Sequence, residues 1–145
     1  MKRSILLMSI AGMILFSCKK DNSDIIPVSI EGTWKMVAVK DNSTNISITK
    51  PSSIAGDVVI TFASNNITSG FFSGKTPSNF FGLNDYKIGP GPAISIPVLA
   101  VTKVGETLWG LEFTGNIRDA LKYSFERGEK LDIITKNKTL TFAKQ

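Results

Sequence analysis

Cys18 is the only thiol in this chain, and histidine is absent from all 145 residues. Those two facts narrow the possible chemistry before any fold is considered. Without histidine the commonest general base and the commonest metal ligand are both missing. Ser-His-Asp and Cys-His nucleophilic arrangements are therefore excluded, and a zinc site has too few donors. Carboxylates remain: Glu106 and Glu112 flank the apolar stretch Leu108 to Leu111, and Asp85 stands beside Tyr86. Solvated positions account for the two glutamates, and a turn accounts for Asp85. Gly89-Pro90-Gly91-Pro92 has the glycines of a phosphate cradle. Its alternating prolines remove the amide donors that such a nest needs, so it reads as a rigid loop. The expectation is a chain with no catalytic, cofactor-binding or metal-binding residue, and so not an enzyme.

The place of Cys18 gives that thiol a different use. Met1, Lys2 and Arg3 make a positive start, Ile5 to Phe16 is an uncharged apolar run, and Ser17 is the small residue before the cysteine. This is signal-peptide anatomy. A spanning helix needs about 20 apolar residues, so the run is too short to stay behind as an anchor. The order Leu15, Phe16, Ser17, Cys18, Lys19, Lys20 resembles the lipobox of bacterial lipoproteins, in which the cysteine becomes the acylated first residue of the mature chain. The resemblance implies removal of residues 1–17, palmitate or similar chains on Cys18, and a membrane as partner through that lipid. It places the protein in the bacterial cell envelope, lipid-anchored, in the outer membrane. Several acyl chains on one residue hold a protein firmly where one holds it only marginally.

With Cys18 consumed by lipid, no disulfide forms within the monomer, and stability must come from an apolar core. The chain is long enough to bury one. It carries 17 basic against 12 acidic residues, two of the basic ones in the leader, and they are scattered. No basic stripe interleaves with aromatics, so nucleic acid is not expected as a partner.

Residues 18–29 are polar and aperiodic and read as a flexible tether; residues 30–145 form the folded domain. Within it, Thr33 to Val39 alternates with Trp34, Met36 and Ala38 on one side, the period of a half-buried strand. Asp57 to Ala63 repeats this with Val58, Ile60 and Phe62 inward. Ser64-Asn65-Asn66 supplies turn chemistry through asparagine's tolerance of positive φ, and Ile67 to Phe72 returns as a hairpin partner. Phe80 to Ile88, Ala93 to Val101, Tyr123 to Glu126, Lys130 to Thr135 and Thr139 to Ala143 are further strands, and Asn42 to Ile54 is an exposed loop. Trp109, Leu111 and Phe113 alternate as a strand would, but Trp109, Phe113, Ile117, Ala120 and Ser124 also follow helical spacing; the helix explains more residues and is expected within Thr107 to Lys122. The fold class is α+β: a small antiparallel β meander or partly closed barrel with one helix packed against it.

Phe71-Phe72 and Phe80-Phe81 come as adjacent pairs. A strand sends neighbours to opposite faces, so one of each pair points outward unless covered. These four are the candidate interaction surface.

Taken together, Gly32-Thr33-Trp34-Lys35, Val58 to Phe62, Ser69-Gly70, Asn79-Phe80-Phe81-Gly82 followed by Tyr86, Thr102-Lys103, a short helix, and the closing Leu131 to Ile134 and Thr139 to Phe142 hairpin resemble the META-domain family. That family implies an antiparallel, partly closed sheet against one helix, in envelope lipoproteins tied to stress tolerance more than to a defined reaction. Gly32-Thr33-Trp34 also resembles the opening of bacterial lipocalin-like barrels. The functional expectation is a non-enzymatic envelope lipoprotein that binds another envelope protein or helps maintain the envelope. The alternative is a lipocalin-like carrier of a small hydrophobic ligand.

Overall fold

A computed structural model describes residues 29–126 and 128–145. The signal peptide, Cys18 and nearly all of the tether lie outside the described residues. From Ser29 onward the chain forms β1 (Gly32–Asp41), β2 (Ser47–Thr49), β3 (Val59–Asn66), β4 (Ser69–Lys75), β5 (Phe80–Ile88), β6 (Ile94–Ser95), the helix α1 (Leu108–Thr114), a 3-10 turn (Ile117–Asp119), β7 (Ala120–Glu126), β8 (Lys130–Thr135) and β9 (Lys138–Lys144). All pairings are antiparallel, in the order β6-β5-β4-β3-β1-β9-β8-β7, with β2 added to β1. The ends of that order meet at an Ala93–Lys122 bridge and at the Tyr123 amide, which donates to the Pro92 carbonyl at 2.8 Å. The result is a nearly closed antiparallel barrel with one short helix.

Alternation sets which side chains enter the barrel, and bulges reset it. Trp34 and Met36 are buried as expected, but the register slips between Met36 and Ala38, so Val39 rather than Ala38 turns inward. On β5 a slip opposite Phe72 to Gly74 leaves Gly82 and Leu83 both outside, and Phe81, Asn84 and Tyr86 are the buried residues. A bulge inserts one residue on one strand, so it inverts the in-out order of everything after it.

A chain of aromatic rings runs through the core. Phe62 meets Phe72 and Tyr86 at 5.7 and 5.2 Å between ring centres, Phe72 meets Phe81 at 5.8 Å, Phe81 stacks on Phe113 at 5.4 Å, and Phe113 meets Phe142 at 6.4 Å. Phe81 belongs to β5 and Phe142 to β9, which β4, β3 and β1 separate in the sheet. Phe113 therefore ties α1 to both walls, and these rings form a continuous chain of contacts from one wall to the other. Each such burial contributes about 1.5–3 kcal/mol.

The two barrel ends differ. At one lie the start of β1, the β3–β4 turn and the Gly89–Pro92 loop. There the Trp34 indole donates to the Ile30 carbonyl at 2.9 Å, and Ile30 is 2 % exposed, so the chain just ahead of β1 is tied to the core. At the other lie the β1–β2, β4–β5 and β8–β9 turns and α1.

Several expectations are corrected. The helix ends at Thr114, and Ala120 to Lys122 are strand, because β7 pairs with β8 from Ala120 onward. Ala93 to Val101 is strand only at Ile94–Ser95, with one bridge from Val101 to Phe81. The loop after β1 contains β2. The β3–β4 hairpin turns at Ile67-Thr68, where the Asn66 carboxamide oxygen accepts from the Thr68 amide at 2.9 Å; asparagine acts through its side chain there, and among the described residues Asn45 is the asparagine with positive φ. Asp85 lies within β5 opposite Phe71 and serves no turn.

Candidate functional site

The β4–β5 turn brings together the polar residues that sequence left scattered. Asn79, 3 % exposed, donates from Nδ2 to the Val104 carbonyl (3.0 Å) and Glu106 Oε2 (2.9 Å). Its Oδ1 accepts from Thr102 Oγ1 (3.0 Å) and the Val104 amide (2.9 Å), and its own amide donates to Thr76 Oγ1 (2.9 Å). Thr76 Oγ1 also donates to Glu106 Oε2, while Glu106 Oε1 accepts from the Thr107 amide at 2.9 Å. Glu106 is thus no solvated helix residue. Burial pushes its carboxyl upward, but hydrogen bonds from Thr76, Asn79 and Thr107 outweigh that and hold it below the ordinary glutamate value. Both carboxylate oxygens are engaged, so the group fixes α1 to the barrel rim and is not poised for proton transfer. Thr107, whose Oγ1 accepts from the Gly110 amide at 3.1 Å, caps the helix beside it.

Beyond this network lies a groove of about 510 Å³, lined by Ile48 and Pro51 from the β1–β3 connection, Leu108, Trp109, Leu111, Glu112 and Asn116 from α1 and its exit, and Lys138 at the start of β9. Helical spacing turns Trp109 and Phe113 into the core, which leaves Leu108 and Leu111 outward at 79 % and 49 % exposure. Ile48 on β2 faces them at 45 % exposure. At the rim, Lys138 Nζ lies 3.3 Å from Asp41 Oδ2 and 4.0 Å from Glu112 Oε2. Hydrogen bonds from the Ser43 hydroxyl and the Thr44 and Ser43 amides, with Lys138 adding to them, hold the Asp41 carboxyl well below the usual range. Among the described residues, Trp109 Nε1 is the buried side-chain donor without a hydrogen-bond partner.

The candidate aromatic surface divides. Phe72 and Phe81 are core residues, 1 % and 3 % exposed, and so leave the candidate surface. Phe71 is half-buried on the outer face, and Phe80 is 67 % exposed. Phe71 opposes Asp85 and Phe80 opposes Lys75, so the register puts the two outward rings four residues apart along β4. At about 3.3 Å per residue they do not touch. Leu83, turned out by the β5 bulge and 76 % exposed, is a second outward apolar side chain on the same strand as Phe80. The bulge is the signal that sequence did not carry.

Among the described residues, no group of three or more His, Cys, Asp or Glu converges as a metal site, and no helix is long and apolar enough to cross a membrane. No family model matches the chain, and no curated protein matches it. A solved NMR structure of a protein from Burkholderia xenovorans is similar in fold, with a TM-score of 0.50 and 18 % identity over 79 % of this chain and 82 % of that one.

Proposed function

We propose that this chain is a non-enzymatic, META-like lipoprotein of the bacterial cell envelope, moored in the outer membrane through lipid on Cys18, that binds another envelope protein through the outer face of β5. One observation carries the reading: aromatic rings meet from wall to wall inside the barrel, from Phe62 through Phe72, Phe81 and Phe113 to Phe142. Such a body is a scaffold more than a cup, which favours a protein-binding surface over a ligand carried in the barrel interior. Phe80 and Leu83 supply that surface, two large apolar side chains on one bulged strand with little to cover them.

Two measurements test it. Labelled palmitate should enter the wild-type protein and not a Cys18→Ala variant; equal labelling of both removes the anchor. A photo-crosslinker at Phe80 should give a discrete protein adduct in intact cells that a Leu83→Asp change abolishes. An unchanged adduct pattern, with the fold intact by circular dichroism, refutes the surface.

A further inference from the structure

We propose that the envelope partner meets the barrel with an acidic segment, which crosses the strands along the outer row Phe80, Lys75, Val59 and Lys35 with carboxylates on the two lysines and apolar side chains on Phe80 and Val59. The proposal rests on the reading that the outer face of β5 binds protein, and it names the chemistry of what is bound. Register fixes the row: Phe80 on β5 stands opposite Lys75 on β4, Lys75 opposite Val59 on β3, and Val59 opposite Lys35 on β1. Residues directly opposite share a face, and the buried neighbours Phe81, Thr76, Val58, Ile60, Trp34 and Met36 put that face outside. Beside Phe80 the wall is hollowed, because Gly82 has no side chain and nothing stands within 4 Å of where one would begin. Val59, Ser73, Lys75 and Phe80 line the hollow, which is about 470 Å³.

Charge states what fills it. Among the described residues neither Lys35 nor Lys75 has a carboxylate at ion-pair distance, whereas Lys50, Lys130 and Lys138 each do. Lys130 stands in the same row beyond Ala143, but Glu126 and Asp132 answer it at 3.3 and 3.4 Å, so the unanswered cations end at Lys35. Asp57, two residues before Val59, feels both lysines, yet it is bonded to Lys50 at 2.8 Å, and that hydrogen bond is the main force holding its carboxyl below the ordinary value. Three lysines against one aspartate leave this patch in need of anions. A single exposed lysine–carboxylate pair adds little. Two lysines flanking an apolar strip select a partner, because complementary charge steers and discriminates while the apolar contact holds.

The same wall favours a peptide over an anionic bilayer. Asp85, exposed on β5 opposite Phe71, lies on one side of the row and Asp57 on the other. A flat anionic surface pressed on Phe80 would meet both carboxylates, while a single segment following the row passes between them. Lys75 and Lys35, two strand spacings apart, stand about 9.6 Å from each other at the backbone. A polyproline-type segment repeats every three residues at about 3.1 Å per residue, or about 9.3 Å, so acidic side chains at every third position match the row.

In nitrogen-15-labelled full-length chain carrying Cys18→Ser, a peptide of four Glu-Pro-Leu repeats should move the Lys35, Val59, Lys75 and Phe80 amide resonances saturably, and its Gln-Pro-Leu counterpart should bind at least tenfold more weakly. Lys35→Gln with Lys75→Gln should weaken the glutamate peptide at least tenfold with the circular dichroism unchanged. Lys40→Gln with Lys87→Gln removes the same charge away from the row, opposite Ser47 and Ser69, and should weaken it less than twofold. Equal binding of the two peptides, equal loss in the two double variants, or phosphatidylglycerol vesicles that move these resonances where the peptide does not, overturns the proposal. In intact cells the adduct formed at Phe80 should disappear from the chain carrying Lys35→Gln and Lys75→Gln. An adduct that Leu83→Asp abolishes but the lysine changes leave in place overturns this proposal alone; one that Leu83→Asp leaves in place overturns the β5 surface with it.

Discussion

Asn79 shows how one side chain can fix a rim. It satisfies two donors and two acceptors on a segment some 25 residues away, and only the Glu106 oxygen among them has a second donor, Thr76. Asn79→Ala should therefore cost about 3 kcal/mol in urea denaturation, since it leaves several buried groups unpaired at once. Its partner Glu106 makes the fold sensitive to acid. The folded carboxyl is held below the ordinary value of about 4.3, so the folded state binds this proton more weakly than the unfolded chain does. The stability it contributes is full above about pH 4.3 and is lost as pH falls through the folded value. Glu31, Asp41 and Asp57 shift in the same direction and add to the loss. Urea midpoints taken from pH 7 down to pH 3 should fall, and less steeply in Glu106→Gln; identical slopes would remove Glu106 from this role. The motif Asn79-Phe80-Phe81-Gly82 was legible in sequence, but Glu106 read as a solvated residue because its partners lie on a different turn.

At the scale of elements, α1 is too short to stand alone, since isolated helices below about 12–15 residues are marginal in water. Its capping threonine and the Glu106 network hold it. Thr107→Ala should lower stability by about 1 kcal/mol. Gly110→Ala makes a sharper test, because alanine ordinarily favours a helix over glycine by about 1 kcal/mol. Here a methyl at position 110 would stand where the Glu106 side chain lies, 2.7 Å from its Cγ. The substitution should lower the thermal midpoint instead of raising it, and a rise would show that Glu106 can yield without consequence. Strand β4 has the same character: a methyl on Gly70 would meet the Ala63 carbonyl and come within 2.7 Å of the Tyr86 ring. Strand periods were readable from residues alone. The bulges at Met36–Ala38 and opposite Phe72–Gly74 were not, because a bulge is a property of two paired strands and not of one.

For the whole molecule, the narrowest join is the seam between β6 and β7, where one bridge and the Tyr123 amide link the two ends of the sheet. A disulfide from Ala93→Cys with Lys122→Cys, in a Cys18→Ser background, should form readily because those positions face each other. Closing a loop of about 30 residues stabilises by roughly 3.6 kcal/mol. The thermal midpoint should rise on oxidation and return on adding reductant; no change would mean that the ends of the sheet do not meet there.

Composition and order alone excluded histidine chemistry, marked Cys18 as a lipobox-like cysteine, and dictated short antiparallel strands with a helix after the fifth of them, because these are local facts about residue types and a period of two. Only the tertiary structure decided that α1 stops at Thr114, that Phe72 and Phe81 face inward while Phe80 does not, and that Ile48, Trp109 and Lys138 share a groove. Each of those depends on partners distant in the chain. A strand's alternation says which residues lie together on a face, but the register of its neighbours and the closure of the barrel decide which face is inside.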